Sequence, residues 1–353
     1  MGKVRGTRGY SSYRGRGAGG KRALAVLLAL LLLAACAFLF AQRYIVYEAD
    51  GSFRFEFPWS QQERQEQPSA PSGGETQTQQ DAEGVEVVVQ EPEVRETRAV
   101  ELSLSALAGD WAASLPEGTN AVAVRLKESS GKLLYDSKLQ AAIDCGAVAG
   151  GSVARAAIEE LTGSDYYSIA RISTLHDSIF AFEHMTDAAV CQLTGYVWYD
   201  TYSTHWLAPE KELARQYISD IAVECAALGF DELLLDDFHY PRDGRMSRIK
   251  TDERTMSKEE ALSLLADDIR AALKAAGYEG KLSVSVDEDI VLAGSEERTG
   301  VVLSALCERF DRVYVPVAEG RPDDVKAALD AENAAFVAIV SEKPEGGNYL
   351  LEK

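Results

Sequence analysis

The stretch Gly229-Phe230-Asp231-Glu232-Leu233-Leu234-Leu235-Asp236-Asp237-Phe238-His239-Tyr240-Pro241 decides the fold of this chain. Three consecutive leucines after a helical segment and a glycine are typical of a fully buried strand in a parallel sheet. Two carboxylates, Asp236 and Asp237, stand where this strand must emerge. An acid at such a position can cap a helix or a loop. Because the carboxyl ends of strands carry the chemistry in β/α barrels, we expect a functional acid here.

The sequence around this stretch alternates short strand signals with amphipathic helical segments. Helices are predicted at Ala208–Leu228, which Gly229 ends, and at Ser257–Ala276, which Gly277 ends. This alternation predicts a single (β/α)8 TIM-type barrel over residues 99–353. An open doubly wound sheet is the alternative, but no glycine-rich turn follows the first strand. The candidate strands are Ala99–Leu104, Ala121–Leu126, Tyr167–Ile172, Glu232–Asp236, Leu282–Val286, Arg312–Val317 and Ala335–Val340, with a weak eighth at Tyr349–Leu351.

The N-terminal part predicts a membrane anchor. Residues 1–22 are basic and lack acids, and residues 23–41 carry no charge, a length that suits a bilayer-spanning segment. The basic flank predicts a cytoplasmic tail, so the rest of the chain is expected outside the cell membrane as the extracytoplasmic part of a single-pass protein. A lipoprotein signal with Cys36 as the lipidated residue is the alternative. Residues 42–98 are rich in Gln, Glu, Ser, Pro and Gly and predict a disordered linker.

Charge and cysteine content exclude several classes of function. The net charge is −20, and residues 1–43 hold eight basic residues and no acid, which leaves −28 for the remainder. Such an acidic exterior argues against nucleic acid and fits a neutral or cationic partner such as a glycan. Four cysteines beyond Cys36 lack the close pairing of a zinc ribbon or a disulfide framework, so no obligatory disulfide is predicted.

Several blocks of the sequence resemble the bacterial "putative glycosyl hydrolase domain" family of membrane-anchored TIM-barrel proteins. The resemblance covers roughly residues 99–320. It implies a barrel fold and an activity inferred from kinship to glycosidases. The blocks that carry it are Ala121–Gly131, Ile169–Ile172 with His176-Asp177, Val197-Trp198, Trp206–Pro209, Leu228–Pro241, Asp252–Thr255 and Ser283–Asp287.

Matched residue by residue, the family pattern is partly retained. The family's strand-end Asp falls on Asp236, and the Asp of its Ser-Ala-Asp block falls on Asp287. Arg171 is retained. On the second strand, however, Arg125 replaces the first of the family's acids, whereas Glu128 and Ser129 replace the second and third.

Glycoside hydrolysis needs two carboxyls across the scissile bond, one of which must be protonated at neutral pH. Asp236 and Asp287 are predicted to end adjacent strands and to face the same mouth. We expect Asp236 to be the nucleophile or stabilising carboxylate and Asp287 the general acid/base, with Glu288 or Glu319 as substitutes. A chitinase-type mechanism is excluded, because aligning its motif on Phe230-Asp231 puts Phe238 at the position of the catalytic Glu.

Candidate substrate-binding residues surround these acids. Arg171 could orient a carboxylate or bind a sugar. The aromatic candidates could stack on sugar rings, although packing within loops is the alternative for each of them. The predicted substrate-binding residues are Arg171, Glu128, Asp237, His239, Tyr240, Trp198 and Trp206, and Tyr199 and Phe238 are further stacking candidates.

Three functions remain open from the sequence. The first is an anchored glycoside hydrolase acting on cell-surface or extracellular polysaccharide, without a cofactor. The second is a glycan-binding or scaffolding barrel of the cell envelope that has lost catalysis. The third is a metal-dependent hydrolase, for which His176, His205 and His239 with Asp177 and Asp237 are the candidate ligands, although their spacing matches no metal motif.

Overall fold

The computed structural model describes residues 45–47, 53–55, 96–251, 254–317 and 321–352. It divides into two units, Met1–Val88 and Val89–Lys353. In the first unit, β1 (Ile45–Tyr47) pairs antiparallel with β2 (Phe53–Phe55). The predicted basic tail and membrane anchor, and most of the predicted linker, lie outside the described residues. Within the described ranges, no helix has the length and apolar character needed to span a membrane.

The second unit is a closed parallel barrel. Eight strands of the described residues follow one another around it, and the last pairs with the first in parallel register. Closure confirms the predicted eight-stranded barrel and excludes the open doubly wound sheet. The barrel strands are β3 (Arg98–Leu102), β4 (Ala121–Lys127), β5 (Tyr167–Ser173), β6 (Glu232–Asp236), β7 (Lys281–Ser285), β10 (Arg312–Pro316), β11 (Ala335–Val340) and β12 (Tyr349–Leu351), and β8 (Ser295–Glu296) pairs with β9 (Val301–Val302) outside the barrel.

The helices lie in the connections between these strands. Residues 341–348, which join β11 to β12, form no helix, and the Pro and Gly residues there (Pro344, Gly346 and Gly347) explain why. The seventh β/α unit therefore departs from the (β/α)8 prediction. The helices of the described residues are α1 (Leu104–Leu107), α2 (Gln140–Asp144), α3 (Ser152–Thr162), α4 (Ser178–Glu183), α5 (Glu212–Ala227), α6 (Lys258–Ala275), α7 (Glu288–Ala293), α8 (Leu303–Cys307) and α9 (Pro322–Ala331), with short 3-10 turns at Ala112–Ser114 and Met246–Arg248.

The two long helices have the ends that the sequence indicates. Ser257 caps α6 in a capping box with Glu260, which satisfies backbone N–H groups at both positions. Gly229 and Gly277 follow α5 and α6 with φ of 92° and 76°, where a side chain would be strained. Helix α5 begins at Glu212 rather than at Ala208, and residues 209–211 form a turn in which Lys211 donates its backbone N–H to the Ala208 carbonyl. Ala208 precedes Pro209, a position that disfavours the helical conformation.

The barrel interior is apolar in its middle and polar at both ends. Because side chains alternate along a strand, every second residue points inward. At the amino end Glu232 is buried and accepts hydrogen bonds from Ser283 and Arg312, the latter at 3.1 Å. The carboxyl end carries the charged residues described below. The apolar middle consists of Ala99, Ala121, Ala123, Ile169, Leu234, Tyr314, Val337, Ile339 and Leu350.

Candidate active site

Strand alternation brings charged side chains together at the carboxyl end of the barrel. Glu101, Arg125, Arg171 and Asp236 each lie two residues beyond an apolar interior position on β3, β4, β5 and β6. Glu352 follows Leu350 of β12 in the same way. Glu101 and Glu352 are not among the residues predicted from the sequence. Their signal was this spacing of two from an apolar residue of the same strand.

Asp236 lies at the centre of this group and is 6% exposed. Arg171 donates to both of its carboxylate oxygens, from Nε to Oδ2 at 2.9 Å and from Nη2 to Oδ1 at 3.0 Å. Arg125 Nη1 donates to Oδ2 at 3.1 Å. Burial raises the pKa of Asp236, and the charges of the two guanidiniums oppose that rise. Since guanidiniums only donate, the ionised carboxylate is the form that satisfies all three N–H groups, and we assign it to Asp236.

The two arginines differ in their remaining capacity to bind a ligand. Arg171, which is 4% exposed, also donates from Nη1 to Glu101 and Glu352, so four of its five N–H groups are used within the protein. The charges of Asp236 and Glu101 outweigh the effect of burial and raise the pKa of Arg171. Arg125 has a 33% exposed side chain and contacts Glu101 at 3.3 Å besides Asp236. Arg171 thus orients a carboxylate, and Arg125 retains N–H groups that can meet a substrate.

Asp287 is placed by β7, which neighbours β6 in the barrel. It lies two residues beyond the end of this strand, immediately before α7, and its side chain is 45% exposed. Arg242 donates to it and also pairs with Asp289 at 2.6 Å and with Glu296 at 3.2 Å. The cation that pairs with Asp287, Arg242, therefore comes from the loop that follows β6. The substitute Glu288 contacts Arg321 at 3.7 Å, and Glu319 lies outside the described residues.

Both predicted catalytic acids line one pocket of about 290 Å³. This volume lies just below the usual range of about 300–1,000 Å³ for small-ligand sites. Of the predicted substrate-binding residues, Arg171, Asp237 and His239 contribute to its wall. The lining consists of Arg125, Ser129, Arg171, His176, Asp236, Asp237, His239, Ser285 and Asp287.

The backbone is strained next to Asp236. Asp237 has φ of 53°, a left-handed conformation that is uncommon for a residue other than glycine. Ser173 donates from Oγ to Asp237 Oδ2 at 2.5 Å, and Leu175 donates its backbone N–H to the Asp237 carbonyl. These contacts from the end of β5 hold the turn after β6 in this conformation. Two successive carboxylates can therefore both face the pocket.

The segment between β5 and α5 adds an imidazole and an indole, and the loop after β6 adds a second imidazole. His176 stacks on Trp206, with ring centroids 4.3 Å apart and an interplanar angle of 7°. His239 lies on the same indole, with ring centroids 5.2 Å apart, and donates from Nδ1 to the Tyr240 carbonyl, 2.8 Å away. Trp206, which is 6% exposed, therefore packs beneath pocket residues rather than lining the pocket.

Other predicted binding residues lie away from the pocket. Trp198 is 1% exposed, and its Nε1 donates to the Arg245 carbonyl at 3.2 Å. Tyr240 is equally buried and donates to Glu210, with Arg254 stacked 5.0 Å from its ring centroid. The three that remain also lie outside the pocket lining. Phe238 packs on Phe310, Glu128 accepts a hydrogen bond from Ser130, and Tyr199 is exposed at the surface of the loop.

The candidate metal ligands do not converge. Asp177 is buried and pairs with Lys127 at 2.8 Å. His176 Nε2 contacts Thr204, and His205 Nδ1 contacts the Trp198 carbonyl at 2.8 Å. Across the part of the chain that the structure describes, no group of three or more His, Cys, Asp or Glu side chains is arranged to hold a metal ion.

Fold and site together define a parallel eight-stranded barrel with acids at the carboxyl ends of its fourth and fifth strands. Residues 115–315 match the family described as "Putative glycosyl hydrolase domain", which is more than half of the chain. The chain belongs to this family, and the resemblance stated from its sequence blocks is confirmed. No curated protein matches the chain.

Solved structures include similar barrels. A hypothetical protein from Ruminiclostridium thermocellum shares 22% sequence identity with a TM-score of 0.45, over 52% of this chain and 96% of that protein. The GH20 β-N-acetylhexosaminidase from Streptomyces coelicolor A3(2) shares 13% identity with a TM-score of 0.41, over 69% of this chain and 47% of the enzyme. The glycoside hydrolase domain of PelA from Pseudomonas aeruginosa shares 13% identity with a TM-score of 0.38, over 69% of this chain and 84% of that domain.

Proposed function

We propose that this protein is a glycoside hydrolase that acts on cell-surface or extracellular polysaccharide through Asp236 and Asp287. The observation that carries the proposal is the pocket of about 290 Å³ that both carboxyls line. Membership of the glycosyl hydrolase domain family supports it. Anchoring through residues 23–41 and an extracytoplasmic barrel are part of the same proposal, because polysaccharide of this kind is found outside the cell.

Asp236 is suited to the role of nucleophile or stabiliser of the positive charge that develops on the sugar ring. Its Oδ2 accepts two guanidinium hydrogen bonds and its Oδ1 accepts one. A carboxylate oxygen has two lone pairs, so Oδ1 keeps one with which to approach the anomeric carbon. The arginines hold the carboxylate ionised and fix its plane, which reduces the reorganisation required during reaction.

Asp287 is suited to the role of general acid/base. Its partly exposed carboxyl can exchange protons with solvent, and it stands on the strand next to Asp236. Arg242 forms an ion pair with Asp287. A sugar entering between Asp287 and Arg242 would weaken this ion pair and desolvate the carboxyl, and both changes favour the protonated acid that the leaving group needs.

The test is release of reducing ends by the full-length chain from a panel of bacterial cell-wall and surface glycans. We expect release by the wild type, with a loss of about 10²-fold or more in Asp236→Asn and in Asp287→Asn. Asp289→Asn is the matched control, because Asp289 also pairs with Arg242 but does not line the pocket. We expect this control to keep activity within a few-fold of the wild type.

A second candidate function is glycan binding without catalysis. The observation that favours it is the engagement of Asp236 by three guanidinium hydrogen bonds, together with Arg125 at a position where the family has an acid. Binding of a glycan without release of reducing ends would establish this alternative. Release that is equal in the wild type and in both Asn variants would instead refute the assignment of the two acids.

A further inference from the structure

His176 belongs to a hydrogen-bonded chain that leads from the pocket into the loop between β5 and α5. Its Nε2 lies 2.6 Å from Thr204 Oγ1, and Thr204 Oγ1 lies 2.5 Å from Asp200 Oδ2. The imidazole lines the pocket and is 18% exposed in its side chain. The indole of Trp206 covers one face of the ring. The ring is therefore fixed in position by contacts that differ from those of the proposed catalytic acids.

The far end of this chain is an ionised carboxylate. Asp200 is 7% exposed and accepts four hydrogen bonds, two from the backbone N–H groups of Tyr202 and Thr204, one from the Thr204 hydroxyl and one from Trp206 Nε1. Burial opposes its charge, but these hydrogen bonds outweigh burial and lower the pKa of Asp200. An ionised carboxylate can only accept, so the Thr204 hydroxyl must donate its single proton to Asp200.

The direction of this donation settles the tautomer of His176. With its proton directed at Asp200, Thr204 Oγ1 can only accept from Nε2, so Nε2 of His176 must carry the N–H. Nδ1 then has a lone pair in the neutral ring. Within the described residues, Nδ1 has no hydrogen-bond donor in contact with it, and it is the nitrogen left for a ligand.

We propose that His176 is a substrate-positioning residue whose Nδ1 accepts a hydrogen bond from a hydroxyl of the sugar in the pocket, with the tautomer fixed by Thr204 and Asp200. The identity of the ligand as a sugar rests on the proposed function, whereas the tautomer does not. Thr204 and Asp200 act through His176 and do not contact the ligand.

The charged groups around the imidazole are consistent with a neutral ring. Burial lowers the pKa of His176, Lys127 and His239 act in the same direction, and Asp237 and Asp200 oppose them. Below the pKa of His176 the ring would gain a proton on Nδ1 and would change from acceptor to donor. Sugar binding should therefore weaken on the acid side, in a limb of the pH profile that disappears in His176→Gln.

The tautomer is tested by long-range proton–nitrogen correlation spectra of the full-length chain labelled with ¹⁵N-histidine. The chain has four histidines, so His176→Gln assigns the His176 signals directly. We expect the Nε2–H tautomer in the wild type and in Thr204→Ser, which keeps the hydroxyl. Thr204→Val keeps the shape but removes the acceptor, and should give mixed tautomers. An Nδ1–H tautomer in the wild type, or an unchanged tautomer in Thr204→Val, would overturn the inference.

The ligand is tested by adding glucose, galactose and N-acetylglucosamine singly to the same labelled sample. We expect at least one of them to move the Nδ1 signal of His176 upfield, as for a ring nitrogen that accepts a hydrogen bond. Release of reducing ends from glycans with a stationary Nδ1 signal would overturn the inference and leave the proposed function standing. A moving signal without release would support the inference and favour the glycan-binding barrel.

Discussion

Replacing Arg171 by methionine removes the guanidinium that holds Asp236 inside the barrel. Arg171 is 4% exposed and forms two hydrogen bonds with Asp236 and one each with Glu101 and Glu352. Removing one partner of a buried ion pair destabilises a protein by about 3–5 kcal/mol, because the other charge is left without compensation. We expect a loss in this range at pH 7, and a fall in melting temperature of about 6–20 °C.

The pH dependence of this loss identifies its cause. Without Arg171, less positive charge opposes the effect of burial, so the pKa of Asp236 in the folded protein should lie well above its unfolded value. An acid of this kind binds more protons in the folded state, and stability increases as pH falls through the raised pKa. The deficit of Arg171→Met relative to the wild type should therefore shrink between pH 7 and pH 5.

Urea unfolding of the full-length chain, followed by tryptophan fluorescence, measures both effects. Arg171→Lys is a control that keeps the positive charge but lacks the planar guanidinium. Its stability should lie between those of the wild type and Arg171→Met. In Arg171→Met/Asp236→Asn the uncompensated charge is gone, so the double variant should be more stable than Arg171→Met alone. A loss below about 1 kcal/mol, as for an exposed pair, or a deficit that is independent of pH would refute the assignment of an ionised Asp236.

Three substitutions elsewhere, with one control substitution, test the framework of the barrel by the same unfolding measurement. Gly131→Ala should lower the free energy of unfolding by more than about 2 kcal/mol, because φ is 97° and the new Cβ would lie 2.1 Å from Asp177 Oδ1. Gly151→Ala is the control, because its Cβ meets no atom within 4 Å, and it should change the free energy of unfolding by less than about 0.5 kcal/mol. Lys127→Met should lose about 3–5 kcal/mol of stability, since it leaves the buried carboxylate of Asp177 without its cation, and a loss below about 1 kcal/mol would contradict the importance of this buried pair. Ser257→Ala should lose about 1 kcal/mol with the capping box of α6, and an unchanged stability would show that the cap is dispensable.

The strands were predictable because burial on both faces leaves a strong pattern. Leu233 and Leu235 pack outward against helices and Leu234 packs inward, so all three are apolar and the strand is unmistakable. The closing strand β12 has three residues and was recognised only as a weak signal. The barrel template predicts a helix in the connection before β12, and the structure has none there. The Pro and Gly residues of this connection were the signal against a helix.

The candidate site was predictable only in part. Strand order places Asp236 and Asp287 at neighbouring strand ends, and their lining of a common pocket follows from the closed barrel. The contact between Arg171 and Glu352 joins residues 181 positions apart, and no local pattern indicates it. The sequence did not predict which of the candidate aromatic residues are buried and which are exposed. These residues lie in irregular loops, where no periodicity distinguishes buried from exposed positions.

The two polar ends of the barrel differ in the exposure of their cations. At the amino end Glu232 is fully buried, and Arg312, whose side chain is 13% exposed, donates from Nη1 to Glu232 and to Thr97. At the carboxyl end Arg125 is one-third exposed and faces the pocket. Buried ion pairs add little stability over apolar packing, so a partly exposed cation in the wall of the pocket is better explained by a ligand than by the fold.

This difference predicts opposite effects of two arginine substitutions. Arg312→Met should lose about 3–5 kcal/mol of stability, because it leaves the buried Glu232 without its cation, and should alter glycan binding only through the loss of folded protein. Arg125→Met should lose about 1 kcal/mol, as expected for a partly exposed pair, and should weaken glycan binding by about tenfold or more, a loss of at least about 1.4 kcal/mol. Stability would be measured by urea unfolding and binding by titration of the glycans in the panel. Equal binding by Arg125→Met and the wild type would show that the ligand lies away from the charged end of the barrel. The ligand would then also lie away from both carboxyls that the proposed mechanism uses.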